Sequence, residues 1–96
     1  MSDKEISVTS GDDPLSFEVR VREGTSETRH EVRLAAADLA RLGAGRGGAA
    51  LVEAAFAFLL DHEPKEAILA RFELSVISRY FPQFETELPR YLGKRT

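Results

Sequence analysis

The stretch Ala49–Leu60 limits what this chain can fold into more than any other feature, because it is apolar on nearly every side. Its only charged residue is Glu53, so a helix formed here has almost no polar face to turn toward water. A membrane span needs about 20 apolar residues, and this stretch is shorter than that. It therefore predicts a buried helix at the centre of a small fold.

Two segments upstream of this helix predict a β-hairpin. Apolar and polar residues alternate over Leu15–Arg22 and again over Arg29–Leu34, which is the period-2 pattern of half-buried strands. The residues between them, Glu23–Ser26, include a glycine and favour a turn.

Charge favours one register of this hairpin. A turn centred on Thr25-Ser26 sets Arg20 opposite Glu31, whereas a turn centred on Gly24-Thr25 sets Arg20 opposite Arg29. Glu18 likewise lies opposite Arg33 in the first register and opposite Glu31 in the second. Opposite charges across a strand pair stabilise it by about 0.2–1 kcal/mol, and like charges destabilise it. Because Thr-Ser is a poor two-residue turn, we predict the first register with a longer loop.

Helical spacing follows the hairpin. A first helix from Ala36 ends at Gly43, which suits a left-handed C-terminal cap. Pro64 suits the first position of a later helix, whose apolar face holds Ala67, Ile68, Leu69 and Phe72. Ser75 is the expected N-cap of a short helix through Tyr80, and a last helix covers Gln83–Leu88 before Pro89.

Together these segments predict an α+β fold, with an N-terminal antiparallel β-hairpin followed by three to five helices around one buried central helix. A chain of 96 residues is the size of one domain. We predict a flexible leader over residues 1–14, one domain over 15–92 and a basic tail over 93–96. The leader leaves room for a short extended segment near Ile6 and Val8. Because an isolated hairpin is marginal in water, it must lean on the helices or pair with another chain.

The residue counts exclude several kinds of chemistry. The chain has no cysteine, which excludes disulfides, thiolate metal sites and thiol nucleophiles. Its first residues, Met1–Glu5, lack the apolar run of a signal peptide, so we expect a cytoplasmic protein that does not bind membranes. The net charge is −3, from 13 basic and 16 acidic residues, which disfavours nucleic acid as a partner.

One glycine motif has the spacing of a cofactor site. Gly43, Gly45 and Gly48 match the dinucleotide-binding pattern. That pattern works only after a strand, because the turn must aim a helix N-terminus at a pyrophosphate. Here it follows a predicted helix, so we interpret it as a linker and predict no cofactor.

The titratable side chains form no catalytic constellation. Asp61-His62-Glu63 groups three of them, but adjacent residues at a helix end diverge, so we expect helix termination in solvent rather than a metal site. His30 alternates in phase with the apolar residues of its strand, which predicts a partly buried, hydrogen-bonded histidine. Ser75 and Ser78 lack the context of a nucleophile. We predict no catalytic or metal-binding residues, no small-molecule substrate and no enzyme activity.

Two stretches resemble DNA-binding units. Glu27–Leu60 runs strand, helix, glycine turn, helix and is similar to a ribbon-helix-helix protein, in which the resemblance implies base reading by Arg29, Glu31 and Arg33. Against this, the strand has a ready partner within the chain, and residues 1–34 hold five basic against eight acidic residues. Lys65–Phe84 has the outline of a helix-turn-helix, but its second helix is only about two turns long. A small DNA-binding regulator of ribbon-helix-helix or antitoxin type is therefore the alternative function.

The C-terminal third concentrates aromatic and basic side chains, and this enrichment is typical of interface cores. The favoured interpretation for Phe72, Phe81 and also Tyr80 is that they complete the small core. Phe84 and Tyr91 lie beyond proline breaks, so we expect them to be exposed. The candidate interaction surface consists of Arg79, Tyr80, Phe84, Arg90 and Tyr91.

Part of the chain resembles a family of small bacterial proteins of unknown function. The resemblance rests on Phe56–Pro64 and Ile68–Glu85, with the motifs Phe72-Glu73-Leu74-Ser75-Val76-Ile77 and Arg79-Tyr80-Phe81-Pro82. It implies a bacterial, cytoplasmic setting and carries no activity or site residues. Because the chain has an unshielded two-stranded ribbon, surplus aromatic residues and no catalytic constellation, we expect a small non-enzymatic protein–protein interaction module, homodimeric, that uses the hairpin edge or the C-terminal aromatic residues.

Overall fold

The order of strands and helices follows the predicted α+β plan, with one strand added at each side of the hairpin. The computed structural model describes residues 4–43 and 45–93. The strands are β1 (Lys4–Ser10), β2 (Ser16–Glu23), β3 (Ser26–Arg33) and β4 (Arg71–Glu73). The helices are α1 (Ala36–Leu42), α2 (Gly48–His62), α3 (Val76–Tyr80) and α4 (Phe84–Gly93), with a short 3-10 turn at Lys65–Ala67.

The predicted hairpin is the middle of a four-stranded sheet. β2 and β3 form the hairpin, β1 pairs antiparallel with β2, and β4 pairs parallel with β3. The prediction of a flexible leader is wrong for Lys4–Ser10, because Ile6 and Val8 lie opposite Val21 and Val19 and pack on the core with them. Residues 1–3, at the start of the predicted leader, and residues 94–96 of the predicted basic tail lie outside the described residues.

The hairpin adopts the register that sets like charges opposite each other, so the register predicted from charge is wrong. Glu23 pairs with Ser26, which leaves Gly24 and Thr25 as a two-residue turn. Gly24 has φ +62°, a conformation that glycine adopts without steric cost at the first central position of such a turn. The fit of this turn outweighs the charge pairs, which contribute little on an exposed face.

The sheet has one apolar face and one charged face. Phe17, Val19, Val21 and Val32 are buried against the helices. The other face is exposed and carries arginine and glutamate in equal number, at Glu5, Glu18, Arg20, Arg22, Glu27, Arg29, Glu31, Arg33, Arg71 and Glu73. Side chains of opposite charge form ion pairs on this face: Nε of Arg29 is 3.4 Å from the Glu27 carboxylate, and Nε of Arg71 is 3.0 Å from the Glu31 carboxylate.

The buried central helix is confirmed. α2 packs against β1 and against α4. Its residues Leu51, Val52, Phe56 and Phe58 are fully buried, as expected for a helix without a polar face. This helix and the apolar face of the sheet form one core.

The connection between α1 and α2 has a different cap from the predicted one. Gly43 ends α1 as expected, but its φ is −76°, which is right-handed, so the predicted left-handed cap is wrong at this position. Its N–H donates to the Leu39 carbonyl at 2.9 Å, which continues the helical hydrogen bonding. Positive φ values occur later in the connection, at Gly45 and Gly47.

The predicted helix after Pro64 does not form beyond the short 3-10 turn. β4 takes its place: the Glu31 N–H donates to the Ala70 carbonyl at 2.7 Å, and the Leu74 N–H donates to the Arg33 carbonyl at 3.0 Å. The charged–apolar–charged order of β4 has the period of a strand, with Phe72 on the core side. So short a segment has no decisive local preference, and the free side of β3 decides its conformation.

In the described residues, the structure lacks the central element of each DNA-binding unit that the sequence resembles. β3 lies between β2 and β4, so it has no free side for pairing with a second chain as in a ribbon-helix-helix protein. The first helix of the helix-turn-helix outline is replaced by the 3-10 turn and β4.

The two C-terminal helices form, and the last is longer than predicted. α3 begins after Ser75 as expected, but the serine side chain makes no capping hydrogen bond. α4 continues through Pro89 to Gly93. Pro89 is exposed, while Phe84, Leu88 and Leu92 form a buried stripe that holds the helix together across the proline.

Candidate functional site

An apolar groove of about 460 Å³ lies where the C-terminal end of α2 meets β4 and α3; this is the β4–α3 groove. Buried Leu59, Ile68 and Ile77 line its interior. Half-buried Phe72, Val76 and Phe81 form its walls, and Glu63 is the carboxylate on its lining. The groove therefore offers apolar contact with a single charge.

Leu69 and Tyr80 stand on the rim of this groove. They are the large apolar side chains that the described part of the chain leaves exposed, Leu69 at 48% and Tyr80 at 69%. Scattered exposed apolar residues are ordinary on protein surfaces. Here both line one apolar groove, and an exposed apolar surface of this kind is typical of a binding site.

His30 holds the Leu69 side of the rim. Its Nδ1 donates to the Leu69 carbonyl at 2.8 Å, and the Thr28 hydroxyl donates to its Nε2 at 2.9 Å. His30 is buried, and its ring packs on Phe56 with centroids 5.3 Å apart. The predicted hydrogen-bonded histidine is confirmed, and it is more deeply buried than predicted; its hydrogen bond fixes the Leu69 backbone to β3.

A buried lysine anchors the start of the same segment. Lys65 is 3% exposed and forms ion pairs with Glu66 and with Glu23 at the end of β2. The hydrogen bond from Lys65 lowers the pKa of Glu66. The segment from Lys65 to Leu69 is thereby attached to the sheet at both ends.

A charge network holds the α3 side of the rim. Glu85, at the start of α4, accepts hydrogen bonds from Nη1 and Nη2 of Arg41 at 2.7 and 3.2 Å and from the Ser78 hydroxyl at 3.3 Å. The bonds from Arg41 lower the pKa of Glu85. Because Ser78 belongs to α3, this network ties the helix that carries Tyr80 to α1 and α4.

β4 is an edge strand with one unpaired side. Along a strand, successive residues direct their N–H and C=O groups to opposite sides. Ala70 and Leu74 bond to β3, so the backbone groups of Arg71 and Glu73 point away from the sheet. No strand of the described residues pairs with them. Such an edge is a template for a further strand.

The structure brings only part of the predicted interaction surface to this site. Tyr80 lies on the groove rim, and Arg79 is exposed beside it on α3. Phe84 is 1% exposed, packed on Phe58 in the core, so its prediction as a contact residue is wrong. Arg90 is exposed on α4, outside the groove lining.

Tyr91, the remaining predicted contact residue, is half-buried and serves the core. Its hydroxyl donates a 2.7 Å hydrogen bond to the Asp61 carboxylate. This bond, with partial burial, raises the pKa of Tyr91 to about 12. The residue that the sequence did not reveal is Leu69, which we placed on the apolar face of a helix; the alternation of Arg71-Phe72-Glu73 was the available signal for a strand there.

The remaining motifs form no site. Gly43 ends α1, Gly45 lies in the connection and Gly48 begins α2. Asp61 and His62 end α2 in solvent as predicted, with Nδ1 of His62 donating to the Phe58 carbonyl at 2.9 Å. Within residues 4–43 and 45–93, no three His, Asp or Glu side chains come together as metal ligands would. No helix in those ranges is long and apolar enough to cross a membrane.

Comparisons with family models, with curated proteins and with solved structures found no match to this chain. The resemblance to small bacterial proteins of unknown function therefore stays a prediction.

Proposed function

We propose that this chain is a non-enzymatic protein interaction module that binds an extended segment of a partner along β4. The observation that carries this proposal is that Leu69 and Tyr80, the exposed large apolar side chains of the described residues, line the same groove as Phe72 of the edge strand β4. A strand added to such an edge gains main-chain hydrogen bonds, and pockets for its alternate side chains give specificity.

The two faces of β4 define the chemistry of the bound segment. Every second side chain of an added strand points, like Phe72, toward the helices and enters the β4–α3 groove. The side chains between them lie on the charged face, next to Arg71 and Glu73. The site therefore fits a segment in which apolar and polar residues alternate.

The groove lining supports binding rather than catalysis. Among its lining residues, the polar side chains are those of Glu63 and Tyr80. Nucleophilic catalysis needs a nucleophile within hydrogen-bond reach of a base, and the lining does not supply that pair. The nearby Ser78 hydroxyl is bonded to Glu85 instead.

A protein partner has more support than DNA. Phosphate contacts provide most of the affinity for DNA and require a surplus of positive charge. The exposed face of the sheet carries arginine and glutamate in equal number. In addition, β3 is paired on both sides, so the ribbon needed for the DNA-binding alternative has no free strand.

An alanine series on the groove rim tests the proposal. Linear peptides are selected from a display library against the immobilised wild-type chain, kept sparse enough to be monomeric, and their binding to Leu69→Ala, Tyr80→Ala and Arg90→Ala is measured. We expect each rim substitution to raise the Kd about fivefold or more, because truncating an anchor residue typically costs more than about 1 kcal/mol. Arg90→Ala is the matched control, since Arg90 is exposed but lies outside the groove.

Amide hydrogen exchange then locates the bound peptide. Docking on the edge should slow exchange at the amides of Arg71 and Glu73, whose N–H groups have no partner strand among the described residues. The proposal is refuted if the selected peptides bind all three variants equally, if they leave these two amides unprotected, or if the selection returns no binder.

A further inference from the structure

We infer that the partner on the β4 edge is a second copy of this chain, an inference that rests on the proposed function of that edge. β4 reads Arg71-Phe72-Glu73, and this order is complementary to itself under a two-fold axis. When two copies of β4 pair antiparallel with Phe72 opposite the partner's Phe72, each Arg71 lies opposite the partner's Glu73. Both cross-strand pairs then join opposite charges.

The unpaired backbone groups fit this register. The N–H and C=O groups of Arg71 and Glu73 point away from β3. In an antiparallel pair centred on Phe72, these two residues occupy the positions that exchange both hydrogen bonds with the residue opposite. The two sheets then continue into one another across the axis.

The side chains of β4 lie on the two faces of the sheet in positions that suit the same pairing. Arg71 and Glu73 both lie on the exposed face of the sheet. The Arg71 side chain pairs with Glu31 through Nε at 3.0 Å and is 83% exposed, so a carboxylate of a partner can reach it. Phe72 faces the β4–α3 groove, where its half-buried ring meets that of the second copy. Leu69 and Tyr80 border the same edge, so dimerisation covers the exposed apolar surface.

The opposite edge of the sheet lacks this complementarity. β1 is also an edge strand, but its apolar residues Ile6 and Val8 pack on the core. A two-fold pairing of β1 centred on Ser7 sets Glu5 opposite Thr9, which joins no opposite charges. No large apolar side chain of β1 is exposed. The β4 edge is therefore the one that favours a second copy.

A charge-swap pair tests this inference. Arg71→Glu makes the edge wholly acidic and Glu73→Arg makes it wholly basic, so each variant alone repels its own copy. An equimolar mixture restores both opposite-charge pairs between unlike chains. Changes within one chain, such as the loss of the Arg71–Glu31 contact, are the same alone and in the mixture, so the comparison isolates the interface.

Light scattering on a sizing column and native mass spectrometry give the oligomeric state. At about 100 μM, where even weak dimers with micromolar Kd are populated, we expect dimeric wild type, monomeric single variants and a heterodimer in the mixture. Circular dichroism checks that each variant is folded. Should either not fold, Tyr80→Glu, at an exposed rim position, is expected to raise the dimer Kd about tenfold or more.

Two results would overturn the inference. One is a monomeric wild type at this concentration; the other is a pair of single variants that dimerise as the wild type does, which would place the contact elsewhere. A monomeric wild type whose rim variants still lose peptide binding would leave the interaction module in place and remove only the second copy as its partner. A monomeric wild type whose rim variants bind the peptides as the wild type does would remove the proposed function as well.

Discussion

Replacing Phe58 by leucine measures how much of the stability of this domain comes from ring contacts between α2 and the C-terminal helices. Phe58 is fully buried, and its ring meets those of Phe81, Phe84 and Tyr91 edge-on, with centroids 5.6, 5.1 and 5.8 Å apart. An edge-to-face pair contributes about 0.5–1.5 kcal/mol beyond the burial of its surface. Loss of these contacts therefore adds to the cost of the smaller side chain.

Phe56 offers a matched control on the same helix. It is equally buried, but its ring has only tilted contacts, with His30 at 5.3 Å and Phe72 at 6.0 Å. The change in shape from Phe to Leu costs about 1 kcal/mol at either site. We expect Phe58→Leu to lower the free energy of unfolding by about 3 kcal/mol and Phe56→Leu by about 1.5 kcal/mol, because the edge-on pairs are lost only at Phe58.

Urea unfolding followed by circular dichroism supplies both values, with the m-value as a check that the compactness of each state is unchanged. Phe56→Ala calibrates the series, since deleting a fully buried phenylalanine costs about 3–5 kcal/mol. If Phe58→Leu proves no more destabilising than Phe56→Leu at equal m-value, the edge-on contacts do not stabilise the fold and the reasoning fails.

Two further predictions concern pH and close packing. The pKa of Tyr91 is raised from 10.0 to about 12 in the folded chain, so the stability from its bond to Asp61 is present below pH 10 and is lost as the pH rises toward 12. Melting temperatures of wild type and Tyr91→Phe should therefore converge over this interval, and a constant difference would contradict the bond. A Cβ on Gly48 would lie 2.5 Å from Cζ of Phe17, so Gly48→Ala should lower the Tm: overpacking costs about 1–3 kcal/mol, more than the helix propensity gained. A higher Tm for this variant would show that α2 and β2 do not pack so closely.

Elements whose own residues carry a strong pattern were predictable from the sequence. The all-apolar stretch around Phe56 predicted the buried helix α2, and the alternation around Val19 and Val32 predicted β2 and β3. In each case one residue after another must meet either the core or water, so the pattern reflects the environment directly.

The candidate site was predictable only in part. Enrichment in aromatic and basic residues indicated Tyr80, which lies on the groove rim, and Arg79, which is exposed beside it on α3, but it also indicated Phe84, which is buried in the core. Composition does not show which side of a helix turns inward. That choice depends on how α4 packs on α2. Phe84, Leu88 and Leu92 have the spacing of a buried helix face, but Pro89 lies among them and obscured this pattern.

By itself the sequence determined the fold class, the central helix and the hairpin, and it excluded thiol chemistry. Tertiary structure decided the existence of β4 and the position of Leu69 on the groove rim. The reason is the range of the contacts. A three-residue strand has no stability of its own, and all its ladder hydrogen bonds go to β3, which is remote in sequence, so its conformation exists only once the sheet has formed.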